Sequence, residues 1–304
     1  MATVEEVIAA IPGWAGRRIE VEELSGGLTN RNYLVRVDGS PVVVRVPGES
    51  TELLAIDRDN EVHNARAAAE TGIAPRVLET VPAFGAMVIE YVPSRTMSNE
   101  TLAAPGMPAR VGRSLRQLHT APRFLLDFDM FRLVERYMAV VDERAIPVPD
   151  GFRAGLPALP RLEAALGADP LPTVPCHNDL LAENYLDDGG DLLRIVDFEY
   201  SGNNDPCFEL ANTAQELLWD EAQRRELCAA YFGEATDALM ARMSLQMIMS
   251  DMGWTLWAAI QARISTIEYD FTGWAEERWA RADAKLRSPE LEDWLRAVTI
   301  ARRS

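Results

Sequence analysis

Cys176-His177-Asn178-Asp179-Leu180-Leu181-Ala182-Glu183-Asn184, followed by Ile195-Val196-Asp197-Phe198-Glu199-Tyr200, is the stretch on which the reading of the fold turns. Between the two segments, Asp187-Asp188-Gly189-Gly190 joins two short strand-like stretches at 184–186 and 192–197, the pattern of a β-hairpin. The hairpin would carry Asn184 at its start and Asp197 at its end, with Asp179 on the loop before it. Phosphoryl transfer asks little covalent work of a protein. It needs a carboxylate to orient the attacking hydroxyl and accept its proton, and hard oxygen ligands for the magnesium that neutralises the phosphates. Asp179 suits the first task; Asn184 and Asp197 suit the second. An isolated H-x-D would read better as a capped loop, but the linked set is specific.

Upstream, short β-branched runs at 21–24, 31–37 and 41–46 are separated by Ser25-Gly26-Gly27 and Asp38-Gly39-Ser40. Residues 52–71 have helical periodicity and stop at Gly72, and 75–80 and 84–92 read as two more strands. Five strands and one helix thus form a small first lobe. Pro93-Ser94-Arg95 is a candidate hinge, and the remainder is mainly helical: 108–120, 131–141, 155–166, 205–218, 221–232, 237–267 and 274–286.

The H-x-D-x4-N loop and the D-F-E segment resemble those of the protein-kinase-like phosphotransferases, in their aminoglycoside-kinase and choline-kinase branch. Trp254-Thr255-Leu256-Trp257 with Gln261-Ala262-Arg263-Ile264-Ser265, the linker Glu90-Tyr91-Val92-Pro93-Ser94-Arg95, and Asp197-Phe198-Glu199-Tyr200-Ser201 are similar to choline/ethanolamine-kinase segments. The likeness runs from about residue 24 to 286. It implies an α+β bilobal fold, with an antiparallel β-sheet N-lobe at 1–92 for the nucleotide. A mainly helical C-lobe at 93–304 would hold the catalytic hairpin and the acceptor. ATP and Mg2+ are the implied cofactors.

Within the N-lobe, Gly26, Gly27, Thr29 and Asn30 form a turn whose backbone can approach phosphates, although a plain hairpin turn reads the same way. Arg45 stands where protein kinases keep a phosphate-pairing lysine. Lys285 is the only lysine in the chain, so arginine must serve. Glu61, on the following helix, is its natural partner, with an ordinary surface pair as the competing reading. Glu90 and Val92 are expected to offer backbone groups to adenine.

Trp254 and Trp257 share a helix face, Trp274 follows a break, and Glu216 lies on the helix after the hairpin. A quaternary ammonium donates no hydrogen bond and is held by aromatic faces and a nearby carboxylate. Spacing alone favours core packing for the tryptophans. The family resemblance implies that they and Glu216 line a choline pocket, with Trp274 where tyrosine is frequent, keeping an aromatic wall and losing a hydroxyl. Choline is therefore the first acceptor, ethanolamine the close alternative, and an aminoglycoside or another small molecule a further one. A non-catalytic pseudokinase is disfavoured by the intact Asp179, Asn184 and Asp197. His177 reads as a brace for the loop.

Bulk properties agree. The 304 residues carry a net charge of −17 with a pI near 4.7, which repels nucleic acid and anionic membranes. Cys176, Cys207 and Cys228 form no CxxC pair, as expected of reduced thiols. The N-terminal segment lacks a basic start and a long apolar run, and 247–260 is too short to cross a bilayer. A cytoplasmic protein, able to form a homodimer, is expected.

Overall fold

The computed structural model describes residues 2–24, 29–48 and 51–300. The β-branched runs of the first third pair into one antiparallel sheet in the order β1-β2-β3-β5-β4: β1 (Ile19–Leu24), β2 (Asn30–Val37), β3 (Ser40–Pro47), β4 (Val77–Val81) and β5 (Ala86–Glu90). Successive side chains on a strand point to opposite faces. Val44 and Val46 therefore join Val35, Val37 and Val88 in a core closed by α1 (Val4–Ala10), which supplies Val4 and Val7. Arg45, between Asn32 and Met87 in the register, projects to the other face.

The helix expected from residue 52 begins at Arg58, because Asp57 caps it by accepting the Asn60 N–H at 2.9 Å. This helix, α2 (Arg58–Glu70), turns a polar face inward. Asn60 and Asn64 donate to the Ser201 carbonyl at 2.8 and 3.0 Å and accept the Leu126 and Leu125 N–H groups, seating the sheet lobe on the rest of the chain. The candidate hinge, 93–95, runs into a short strand at its last residue: β6 (Arg95–Thr96) pairs with β8 (Tyr185–Asp187), which pairs with β9 (Arg194–Ile195). A second small sheet joins β7 (Val174–Cys176) to β10 (Gly202–Asn204).

The helical part comprises α3 (Asn99–Leu102), α4 (Met107–Leu118), α5 (Met130–Glu143), α6 (Phe152–Gly155), α7 (Leu159–Ala168), α8 (Pro206–Glu216), α9 (Glu221–Phe232), α10 (Asp237–Ile264), α11 (Phe271–Leu286) and α12 (Leu291–Ile300). The 28-residue α10 is apolar or buried nearly all round from Met240 to Gln261 and packs against α5, α8, α11 and α12, as a helix at the centre of a core must. The sequence reading ran it to residue 267; it ends at Ile264. The second hairpin strand, expected over 192–197, shrinks to Arg194–Ile195, and α1, α3, α6, α12, β6, β7 and β10 were not anticipated. Among the described residues no helix is long and apolar enough to cross a membrane.

Candidate active site

The loop that carries Asp179 leaves β7 and returns as β8, and almost every polar group in it is tied down. Glu209, fully buried on α8, accepts the backbone N–H of His177 and of Asn178, both at 2.7 Å. Asn178 sits at φ +69°, a left-handed conformation that Asn tolerates better than most residues. Its amide nitrogen bonds the Tyr200 carbonyl at 3.0 Å. His177 bonds the Val196 carbonyl through Nε2 at 2.8 Å, leaving Nδ1 to accept the Asp179 N–H at 3.3 Å. Burial lowers its pKa, so the ring is a neutral brace. Because glutamine has one oxygen where glutamate has two, Glu209→Gln leaves one of those N–H groups facing a donor. The expected loss is about 100-fold in kcat through misplacement of Asp179, with nucleotide affinity unchanged; steady-state kinetics and nucleotide titration check it.

Asn184 donates its amide nitrogen to the Asp179 carbonyl at 2.8 Å, which fixes where its side-chain oxygen lies, and its own carbonyl accepts the Val196 N–H at 3.0 Å. That bond brings the end of the loop beside Asp197, which takes φ +75°. Aspartate in this region costs energy, and here its carboxylate is held against the Arg45 guanidinium. Arg45, 5 % exposed, pairs with Asp197, with Glu61 at 3.1 Å and with Glu199 at 3.4 Å. Arg58 adds contacts to Glu61 at 2.6 Å and Glu199 at 3.3 Å. Burial alone would lower the Arg45 pKa, but Asp197, Glu61 and Glu199 outweigh it and raise it. Burial, then the Asp197 charge, pushes Glu199 up to about 7. Asp179 lies well above the usual carboxylate range, first through burial, then through Glu216, Asp197 and Glu199. Carboxylates outnumber cations here, so the cluster suits a divalent metal, and Asn184 and Asp197 supply the hard oxygens one would need.

A cavity of about 380 Å3 is lined by Thr29, Asp179, Asn184, Asp197, Glu199 and Glu216 at one end and by Trp254, Trp257, Tyr269, Trp274 and Arg278 at the other. A larger hollow of about 550 Å3 beside Arg263 and Trp279 gathers no comparable set of oxygen ligands. Trp254 and Trp257 are 3 % and 4 % exposed, so their bodies belong to the core and only a small part of each ring borders the cavity. Trp257 is perpendicular to Trp274 with centroids 5.4 Å apart, and Tyr269 closes on Trp274 at 5.9 Å. Trp257 Nε1 donates to the Tyr200 hydroxyl at 2.7 Å, holding its ring in place.

Other expectations fare differently. Gly26 and Gly27 lie outside the described residues. Thr29 and Asn30 turn their side chains to Glu199, donating at 2.5 and 2.7 Å. The Glu90 N–H is bonded to the Arg76 carbonyl at 2.9 Å and its carboxylate pairs with Arg76, so its amide is not free for a base. Val92 accepts the Ser94 hydroxyl at 2.9 Å. Neither residue borders the cavity.

Residues 20–245 match the phosphotransferase enzyme family. A solved choline/ethanolamine kinase family protein from Mesorhizobium loti is 38% identical, superposes with a TM-score of 0.83, and is covered to 97% by 96% of this chain. The chain belongs to the phosphotransferase enzyme family, in its choline/ethanolamine kinase branch. Mouse ethanolamine kinase 1 is 27% identical over 88% of the chain and 84% of its own length. Human choline/ethanolamine kinase is 25% identical over 88% and 81%.

In this phosphotransferase the sequence reading missed Arg278. Its guanidinium is 1 % exposed, forms a two-pronged pair with Glu216 at 2.7 and 2.6 Å, and lies 4.1 Å from the centre of the Trp274 ring. Glu216 is thus already answered by a cation, and one face of Trp274 is covered. The signal was available: Arg278 stands four residues after Trp274 on one helix, hence on the same face. Tyr269, Arg58 and Glu199 were likewise unassigned.

Proposed function

We propose that this kinase transfers the γ-phosphoryl group of ATP to the hydroxyl of a small amino alcohol, with choline the preferred acceptor. The observation that carries this reading is the single cavity in which Asp179, Asn184 and Asp197 meet an aromatic wall. Residues 1–92 would hold the nucleotide and 93–304 the acceptor. Asp179, already basic through burial, would take the acceptor's proton as its oxygen attacks. Arg45, kept in place by Glu61, would face the phosphates. Magnesium, held by Asn184 and Asp197, would neutralise charge developing on the transferred group.

The choline preference follows from what is left at the far end. The Glu216 charge is satisfied by Arg278, so recognition of a cation falls on the aromatic wall of Trp254, Trp257, Trp274 and Tyr269, with one face of Trp274 already taken by Arg278. Tyr269 also provides the hydroxyl that tryptophan at 274 lacks. A trimethylammonium group suits such a box; a primary ammonium needs acceptors in it. Ethanolamine is the second reading, favoured by relatives named as ethanolamine kinases. Side-by-side kinetics decide. Trp254→Leu should raise the KM for choline about 2- to 30-fold, the worth of one cation–π contact, and change that for ethanolamine less. Indifference of choline to this substitution, or a native preference for ethanolamine, would favour the second reading.

A further inference from the structure

Residues of α9, α10, α11 and α12 line a further hollow of about 390 Å3, which shares no lining residue with the acceptor cavity. Arg224, Arg281 and Lys285 line it together with Ser288, Glu290 and Trp294. Three cations converging in a chain of net charge −17 call for a reason. One buried carboxylate, Asp251, answers two of them: Arg281 bonds it at 2.8 Å and Lys285 lies 3.9 Å away, while the exposed Glu277 reaches Arg281 at 3.5 Å. Asp251 is also shared with Gln215 at 2.7 Å and approached by Arg278 at 3.8 Å, so its charge is divided. Arg224 has no carboxylate within ion-pair distance among the described residues. It contacts the Met247 sulfur at 3.5 Å, and its buried Nε has no hydrogen-bond partner. Ser288 accepts the Glu290 N–H at 3.1 Å, which leaves its hydroxyl hydrogen to donate. Glu290 is exposed and can turn to solvent.

We propose that this hollow is a binding site for the phosphate group of a small molecule, distinct from the nucleotide cleft. A phosphate dianion brings three strong acceptor oxygens. Arg224 offers a planar guanidinium, Arg281 the hydrogens its bonds to Asp251 and Glu277 leave over, Lys285 a point charge and Ser288 a hydroxyl, which is the donor set such an ion takes. Trp294 gives the organic part of a phosphate ester an aromatic wall. Burial holds the Lys285 pKa below the usual ammonium range; Asp251 opposes the drop, and Arg281 and Arg224 add to it. An incoming anion relieves that repulsion.

The proposal does not depend on the acceptor's identity, and the chain offers a clean test because Lys285 is its only lysine. The rate of Lys285 acetylation by an amine-selective reagent is followed by peptide mass spectrometry. Inorganic phosphate is titrated at constant ionic strength, with saturating MgADP filling the nucleotide cleft. The rate should fall saturably, about tenfold at ten times the Kd. Arg224→Gln should lose the protection while keeping its melting curve and basal kinase activity, and Arg224→Lys should retain part of it. A rate independent of phosphate, equal protection by acetate, or protection unchanged in Arg224→Gln would overturn the proposal.

Discussion

Asp179→Asn should lower kcat by about 10²- to 10⁴-fold while leaving the fold as stable as the native chain or more so. Loss of activity would follow from removing the group proposed to accept the proton of the attacking hydroxyl. The stability half is the more discriminating. Among the described residues the Asp179 carboxylate takes no hydrogen bond, and it is buried close enough to Glu216, Asp197 and Glu199 for their charges to raise its pKa. Ionised, it costs the native state free energy, so an isosteric neutral amide removes a penalty and no contact. The sign is fixed by linkage. The native state holds this proton to a higher pH than the unfolded chain does, so stability declines as pH rises from the unfolded pKa through the raised native one. The Asn variant should show a shallower decline. Denaturation curves across pH, read beside turnover, check both halves; a destabilised Asn variant would mean that the carboxylate has a structural role.

Arg278→Met is expected to destabilise the protein by about 3–5 kcal/mol, because it strands the Glu216 carboxylate in a buried setting. Removing both partners in Arg278→Met with Glu216→Met should restore most of that loss, since a buried ion pair and an apolar pair of similar volume often differ little. The two variants separate structure from recognition. If Glu216 and Arg278 serve only as a strut, the double variant regains native KM for the acceptor. If they orient Trp274 and set the charge of the cavity, it stays folded with a raised KM and nearly normal nucleotide binding. A single variant as stable as the native chain would contradict the pairing on which this argument rests.

The contrast between Asp179 and Arg278 also shows where sequence was informative. The catalytic loop is local: Asp179, Asn184 and Asp197 are spaced by a loop and a hairpin whose turn residues announce themselves. The sheet was legible for the same reason, since β-branched runs and glycine turns mark it strand by strand. Pairings between distant segments were not. Glu216 and Arg278 lie 62 residues apart and meet only because α8 and α11 both pack on α10. Glu199 is reached by Thr29, 170 residues away, which diverts a side chain expected to face the nucleotide. Short elements were lost to their length. α1 has seven residues, although its capping box between Thr3 and Glu6 was in plain view. β9 is shorter than its apolar run because Asp197 leaves the strand at positive φ.

The most direct test is product formation. The chain is incubated with MgATP and, in parallel, choline, ethanolamine and an aminoglycoside; ADP release and the phosphorylated product are measured, with Asp179→Asn as the blank. The account predicts phosphocholine as the main product, formed with the highest kcat/KM and absent from the blank. ADP release from the native chain with none of these acceptors, or equal turnover by Asp179→Asn, would contradict it.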